Sequence, residues 1–201
     1  MRSKRRDEGG AIAVMTAFLC LILTAGLAFA GDAAASNAAR SALVNDLSAA
    51  RDATMSADVL LVAKNSDDPG RAIADAAVSQ LRANGVTGEV EVWFWEAPSS
   101  QLPTGKRSWA WGVQSSVEGA TGYATIFGGS GSEISAFITA HAVPYTAGEA
   151  WRPSSERMGK WAYAAGAEAG EGSFERVASL GETPQEIQDE LADAVREAQQ
   201  S

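Results

Sequence analysis

The sequence predicts an α+β fold. A long N-terminal helix crosses a membrane, extends beyond it and packs against a small antiparallel sheet of about four strands, and a C-terminal amphipathic helix follows. Three patterns support this: an uncharged apolar run over residues 11–30, two-residue alternation typical of strands between residues 86 and 143, and helical periodicity over residues 183–200. The predicted segments are a basic leader (1–10), a transmembrane helix (11–31), its amphipathic extension (32–63), a short helix with the sheet (64–150), and a less defined segment ending in the acidic helix (151–201).

The apolar run has the length of a membrane span. Its twenty residues, as a helix, rise roughly 30 Å, the thickness of a bilayer core. Four basic residues precede it: Arg2, Lys4, Arg5 and Arg6. By the positive-inside rule, this end stays in the cytoplasm and the rest of the chain lies outside the membrane.

Three fates of this segment are compatible with the sequence. It can remain as an uncut anchor, it can be removed as a signal peptide between Ala30 and Gly31, or the leader can be cut between Gly10 and Ala11, which leaves the apolar helix in place. The apolar run is longer than the roughly 7–15 residues usual in a signal peptide, which favours the two outcomes that keep it. The single cysteine, Cys20, lies inside the run, so an internal disulfide is excluded.

The extension of the helix contains no proline from Asp32 to Ala63 and is rich in alanine. Apolar residues recur there at spacings of three and four, which predicts a packing stripe that includes Leu43, Leu47, Ala50 and Leu61. A second, short helix is predicted from an N-cap at Asp68, a first-turn Pro69 and a left-handed C-terminal glycine, Gly85.

Four strands are predicted, at residues 86–96, 108–117, 123–127 and 133–143, joined by short turns as in an antiparallel sheet. Residues 145–182 give no definite element, although residues 155–169 could form a helix. The last helix is predicted from a capping box, Thr183 with Glu186, and an apolar stripe. Its opposite face is acidic and is expected to be solvated: Glu186, Asp189, Glu190, Asp193 and Glu197.

Composition and motifs argue against several function classes. A net charge of −9 disfavours nucleic acid as a partner, because phosphates need a basic surface. The single histidine, His141, has no catalytic or metal-ligating residues at matching spacing, and the glycine-rich residues 128–132 are not followed by the Lys-Ser/Thr of a phosphate loop. We therefore expect no enzyme activity, no cofactor and no bound metal.

Four tryptophans on two adjacent predicted strands allow two interpretations: Trp93, Trp95, Trp109 and Trp111. Alternating tryptophans on paired strands usually form core or cross-strand contacts. The alternative is an exposed aromatic surface for a glycan or a protein. That surface would make the chain a secreted or membrane-tethered extracellular binding module.

Residues 5–14 read RRDEGGAIAV, and the apolar helix, Asp32 and the stretch ALVNDLSAARDA at 42–53 follow. Together with the passage from helix through Asn84-Gly85 into a strand, these features resemble the minor pilins and pilin-like proteins of Tad (tight adherence, Flp-type) pilus systems, the TadE/TadG-like group. The resemblance implies a membrane-anchored structural or assembly protein, with other pilus subunits or assembly proteins as partners. It also implies prepilin-type processing between Gly10 and Ala11. Met15, however, stands where such leaders carry a glutamate, which favours an uncut component.

Overall fold

The computed structural model describes residues 4–119, 133–146 and 157–200. The chain divides into two compact units, one comprising residues 1–39 with 118–133 and the other residues 40–117 with 134–201. In the first unit the described structure is dominated by helix α1, Lys4–Thr54, which begins there and continues into the second. The predicted strand at 123–127 and turn at 128–132 lie outside the described residues.

The second unit is an α+β fold, as predicted. In the part of the chain that the structure describes, its main sheet has five strands in the order β4-β3-β1-β6-β7: β1 (Val90–Glu96), β3 (Trp109–Glu118), β4 (Glu133–His141), β6 (Gly159–Tyr163) and β7 (Ser173–Arg176). Strands β1, β3 and β4 were predicted, and β6 and β7 were not. Two short strands, β2 (Lys106–Arg107) and β5 (Tyr145–Thr146), form a separate antiparallel pair. Three further helices complete the unit: α2 (Ala57–Asn65), α3 (Pro69–Ala83) and α4 (Gln185–Gln200).

Helix α3 forms where the sequence predicts it. The Asp68 carboxylate accepts a hydrogen bond from the Arg71 amide at 3.1 Å, and Pro69 occupies the first turn. Gly85 has a φ of 85°, which a residue with a Cβ adopts only with strain, and it lets the chain turn toward β1. The local signals at both ends are therefore sufficient to set this helix.

The expected continuous helix to residue 63 is wrong, because α1 ends at Thr54 and α2 begins after Ser56. Ser56 has extended backbone angles and its hydroxyl accepts a hydrogen bond from the Val59 amide, so it serves as the N-cap of α2. No proline or glycine marks the break. Besides the Ser56 cap, the break carries a tertiary hydrogen bond of Thr54, described below.

The expected helix at 155–169 is also wrong. Residues Gly159–Tyr163 form β6, in which Trp161 and Tyr163 are buried and alternate with the half-buried Lys160 and Ala162. This strand pairs antiparallel with β1 on one side and with β7 on the other. An alternation of only five residues, flanked by alanine and glycine, is a weak signal in the sequence.

Each face of the sheet packs against helices. On the first face, Phe94, Trp111 and Trp161 pack with the buried stripes of α1 and α3. On the second face, Trp95 and Ala110 pack with α4 through Ile187, Leu191 and Ala198. Within this unit the sheet is therefore the middle of three layers.

Helix α4 begins differently from the predicted capping box. The Thr183 hydroxyl donates to the carbonyl of Leu180 at 2.7 Å, and the Gln188 side chain donates to the carbonyl of Thr183 at 3.0 Å. Gly112 of β3 lies directly beneath the helix, where a Cβ would collide with the Ile187 side chain and the Phe137 ring. The close approach of α4 to the sheet thus depends on a residue without a side chain.

Candidate functional site

The first candidate functional feature is the apolar surface of α1 in the first unit. The helix is long and apolar enough to cross a membrane, judged by its length and composition. Its large apolar side chains between residues 12 and 29 are exposed: Ile12, Val14, Met15, Phe18, Leu19, Leu21, Ile22, Leu23, Leu27 and Phe29. An apolar surface of this extent on a helix of this length fits a membrane span better than contact with water.

Both predicted processing sites lie within α1. Gly10 and Ala11 are exposed near its start, and Ala30 and Gly31 are exposed in its middle. Cleavage between Ala30 and Gly31 would cut through continuous helical hydrogen bonding. Met15 is also exposed on this helix.

The C-terminal part of α1 belongs to the second unit and contributes to its core. Leu43, Leu47 and Ala50 are buried against the sheet side of the fold, at 2%, 1% and 0% exposure. Leu61, predicted to continue this stripe, is 61% exposed on α2. The interruption between α1 and α2 breaks the helical spacing, which therefore no longer places Leu61 on the buried face.

A buried hydrogen bond fixes the end of α1 to the sheet. The Trp111 indole N–H of β3 donates to the Thr54 hydroxyl oxygen at 3.0 Å, and both side chains are fully buried. The same hydroxyl donates to the carbonyl of Arg51 at 2.6 Å. Thr54 therefore caps the last turn of α1 and satisfies the one polar group of Trp111.

The four tryptophans do not form one surface. Trp109 and Trp111 lie opposite Glu96 and Phe94 in the β1–β3 register, so they share the face of Phe94 and are fully buried in the first core. Trp93 and Trp95 lie on the other face, toward α4. An aromatic surface made of all four side chains is therefore not present.

Ionic groups cover Trp93 on that second face. The Lys160 ammonium lies 5.5 Å from the centre of the Trp93 ring and 2.8 Å from the Glu91 carboxylate. Glu175 of β7 is a second partner of the ammonium, at 3.4 Å. The hydrogen bond that Lys160 donates to Glu91 raises the pKa of Lys160, in spite of partial burial. This arrangement joins three neighbouring strands and leaves little of Trp93 for a ligand.

Arg82 of α3 fixes the loop that follows β6. Its guanidinium donates to four backbone carbonyls, those of Ala167 (2.8 Å), Val86 (2.7 Å), Gly88 (3.1 Å) and Ala164 (3.2 Å). Backbone carbonyls need hydrogen-bond donors, and these four lie outside the strand ladders. The Arg82 side chain therefore supplies their donors. Its role is structural.

Asp75 holds the same loop from the other end. Its carboxylate accepts hydrogen bonds from the Tyr163 hydroxyl at 2.7 Å and from the Gly170 amide at 2.8 Å. Burial and the bond to Asp75 raise the pKa of Tyr163. A tyrosine held protonated in this way serves as a hydrogen-bond donor, not as a base.

The arrangement that sequence reasoning missed centres on His141, at the end of β4. Its Nδ1 lies 2.6 Å from the Glu190 carboxylate and its Nε2 lies 3.0 Å from the Glu197 carboxylate, both on α4. The acidic face of α4 is thus only partly solvated. Glu190 and Glu197 are seven residues apart, which places them on one side of a helix, but nothing in the sequence identifies His141 as their partner.

Partial burial disfavours the imidazolium, but the hydrogen bonds and charges of Glu190 and Glu197 together outweigh it and raise the pKa of His141 above 6.5. The two carboxylates bind opposite edges of the ring and do not converge on a common point. Among the residues that the structure describes, no group of three or more His, Cys, Asp or Glu side chains is placed to hold a metal ion.

The chain matches no protein-family model, no curated protein and no solved structure. Function is therefore argued below from the residues and their contacts.

Proposed function

We propose that the protein is a single-pass, membrane-anchored, pilin-like structural or assembly component of a Tad-type pilus. Its N-terminus lies in the cytoplasm and most of the chain lies outside the membrane. The observation that carries this proposal is one uninterrupted helix, Lys4–Thr54, with two different surfaces. Over residues 12–29 its apolar side chains are exposed, and at Leu43, Leu47 and Ala50 its side chains form part of a folded core.

A removable signal peptide does not need a helix that continues without a break from the apolar segment into the folded core. Cleavage between Ala30 and Gly31 would leave a helix end with unpaired backbone amides in the middle of α1. An anchor that stays attached explains why the helix of the span and the helix of the core are one element. The Met15 position supports the uncut form, because a methionine cannot supply a carboxylate to a neighbouring subunit's N-terminal amine.

The alternative function, an extracellular module with an aromatic binding surface, receives less support. Trp109 and Trp111 are enclosed in the core, and Trp93 is covered by the Lys160 ammonium. What remains is a cleft beside Trp95, lined also by Met158, Val177 and Ala178. It lacks the several exposed rings that a glycan platform requires.

The membrane anchor is tested by charge insertion with a matched control. Leu19 and Leu23, each 58% exposed, are replaced together by lysine, and Leu61 and Val62, 61% and 60% exposed, are replaced together in the control. Each lysine near the centre of a span costs about 3 kcal/mol, so the first pair should abolish membrane insertion, measured by carbonate extraction. The control pair should remain in the membrane fraction. Equal extraction of both variants would contradict the anchor.

The pilus role is tested separately, in cells that assemble the pilus. Deletion of the gene should reduce the number of surface pili, and the wild-type chain should restore it. Mass spectrometry of the mature N-terminus distinguishes an uncut chain from one that begins at Ala11 or at Gly31. Normal piliation of the deletion strain, together with a membrane location of the wild-type chain in the complemented strain, would reject the pilus role and leave the anchor intact.

A further inference from the structure

Helix α4 is held by two kinds of contact with the sheet and by a hydrogen bond from the Gln199 side chain to the Gln101 carbonyl at 3.1 Å. The first is apolar, through Ile187, Leu191 and Ala198. The second joins α4 to β4 through polar side chains: His141 binds both Glu190 and Glu197, and the Thr139 hydroxyl donates to the second oxygen of Glu190 at 2.8 Å. Glu190 is therefore held by two side chains of β4, whereas Glu197 has only His141 as its described partner.

The two ring nitrogens of His141 cannot both donate unless the ring is protonated. A neutral imidazole has one N–H and one lone pair, and both partners here are carboxylates that only accept. Glu190 lies closer to the ring than Glu197, 2.6 Å against 3.0 Å, and Thr139 orients it. On loss of a proton the remaining N–H stays at Nδ1 toward Glu190, and the Nε2 lone pair then faces the carboxylate of Glu197.

When Nε2 loses its proton, no other charged group among the described residues of the neighbouring elements replaces its hydrogen bond to Glu197. The residues of β3 beneath the ring on the same face are uncharged, Ala110 and Gly112. On α4 the nearby Asp193 pairs with Arg196 on the exposed side of the helix. The charged groups that act on the imidazole are Glu190 and Glu197.

We propose that His141 is a proton-operated latch: its imidazolium holds the C-terminal turns of α4 on the sheet through Glu197, and deprotonation releases them. The N-terminal turns stay docked, because they bury the large side chains of Ile187 and Leu191 and Glu190 keeps the Thr139 hydroxyl. The C-terminal turns bury only the small side chains of Ala194 and Ala198, so they depend more on the polar contacts. The released segment is the part of α4 around Val195 and Ala198, which otherwise covers part of the second face of the sheet.

The direction of the pH dependence follows from linkage. A histidine whose pKa is raised in the docked state stabilises docking fully below about pH 6.5, its ordinary pKa. This contribution is lost as the pH rises through the raised pKa of the docked state. Each unit of difference between the two pKa values corresponds to a tenfold change in the ratio of docked to released helix.

The latch is tested on the full chain in detergent micelles or nanodiscs. Because His141 is the only histidine, its Cε1–H signal in a ¹H–¹³C spectrum of histidine-labelled protein is unambiguous. We expect a pKa above 6.5. Hydrogen exchange of the α4 peptides, corrected for the intrinsic rate at each pH, should show a loss of protection at residues 194–200 above that pKa, tenfold for each unit by which the measured pKa exceeds that of the released state, with residues 185–191 much less affected.

Two variants separate the latch from a general pH effect. In Glu197→Gln the amide can donate to the neutral Nε2, so the C-terminal turns should stay protected across the transition and the pKa of His141 should fall. The matched control is Glu186→Gln, an exposed carboxylate on the same helix, which should behave as the wild type. A wild-type pKa at or below 6.5, or unchanged pH-dependent exchange in Glu197→Gln, would overturn the proposal. If a variant fails to fold, the titration and the pH-dependent hydrogen exchange of the wild type decide the question together.

Discussion

The Thr54 hydroxyl should be worth more to the stability of this fold than its methyl group. In Thr54→Val the shape is kept, but the buried Trp111 N–H loses its acceptor at 3.0 Å. An unsatisfied buried donor costs about 1–3 kcal/mol. The Arg51 carbonyl keeps a partner, because the Met55 amide also donates to it at 3.0 Å. We therefore expect a loss of about 2 kcal/mol, or about 4–8 °C in Tm for a chain of this size.

The control variant, Thr54→Ser, keeps the hydroxyl and removes one buried methyl group, at a cost of about 1 kcal/mol. Denaturant unfolding of the full chain in micelles, followed by tryptophan fluorescence, should rank the wild type first, then Thr54→Ser, then Thr54→Val. A double-mutant cycle with Trp111→Phe should give a coupling energy of about 1 kcal/mol or more. The reverse ranking, or a coupling near zero, would show that Thr54 acts by packing alone.

Two further changes test the packing of the second unit. Leu47→Ala should lower the free energy of unfolding by about 2–5 kcal/mol, because Leu47 is buried. Leu61→Ala should change it by less than about 0.5 kcal/mol, because Leu61 is exposed. Equal effects of the two variants in denaturant unfolding would contradict the placement of α2. Arg82→Lys should raise the hydrogen-exchange rate of the loop at residues 164–172, because an ammonium cannot bind four separate carbonyls. An unchanged exchange rate would assign the loop's stability to Asp75 instead.

The sequence predicts best where one short segment decides the outcome. Helix α3 is set by a cap at Asp68, a proline in the first turn and a left-handed glycine at 85, all close to its ends. The alternation in β1 is equally local, and both were predicted correctly. In each case the pattern that identifies the element lies within a short stretch of chain, so it can be recognised without knowledge of the tertiary structure, although β1 is held in place by pairing with β3 and β6.

The sequence predictions are wrong or incomplete where an element or a contact involves residues far apart in the chain. At the end of α1, Thr54 binds Trp111, which is 57 positions away, and the local signal between α1 and α2 is a single N-cap serine, Ser56, with no proline or glycine. Strand β6 is fixed by pairing with β1, about 70 residues earlier. His141 lies 49 and 56 positions from its two carboxylate partners. Helical spacing can place both glutamates on one side of α4, but it cannot name the residue they meet.

The two helical layers of the second unit pack on opposite faces of the sheet. The contacts that hold α1 are therefore separate from the contacts of α4 that the proposed latch involves. The face that receives Leu43 and Leu47 of α1 also contains Trp111 and Trp161, and it forms a core that does not include α4. The face beneath α4 forms a second core, with Trp95 and Ile187. Release of the C-terminal turns of α4 therefore exposes only the second face. The Thr54–Trp111 hydrogen bond lies in the first core. A change of protonation at His141 can therefore alter the packing of α4 while the packing of α1 on the sheet stays intact.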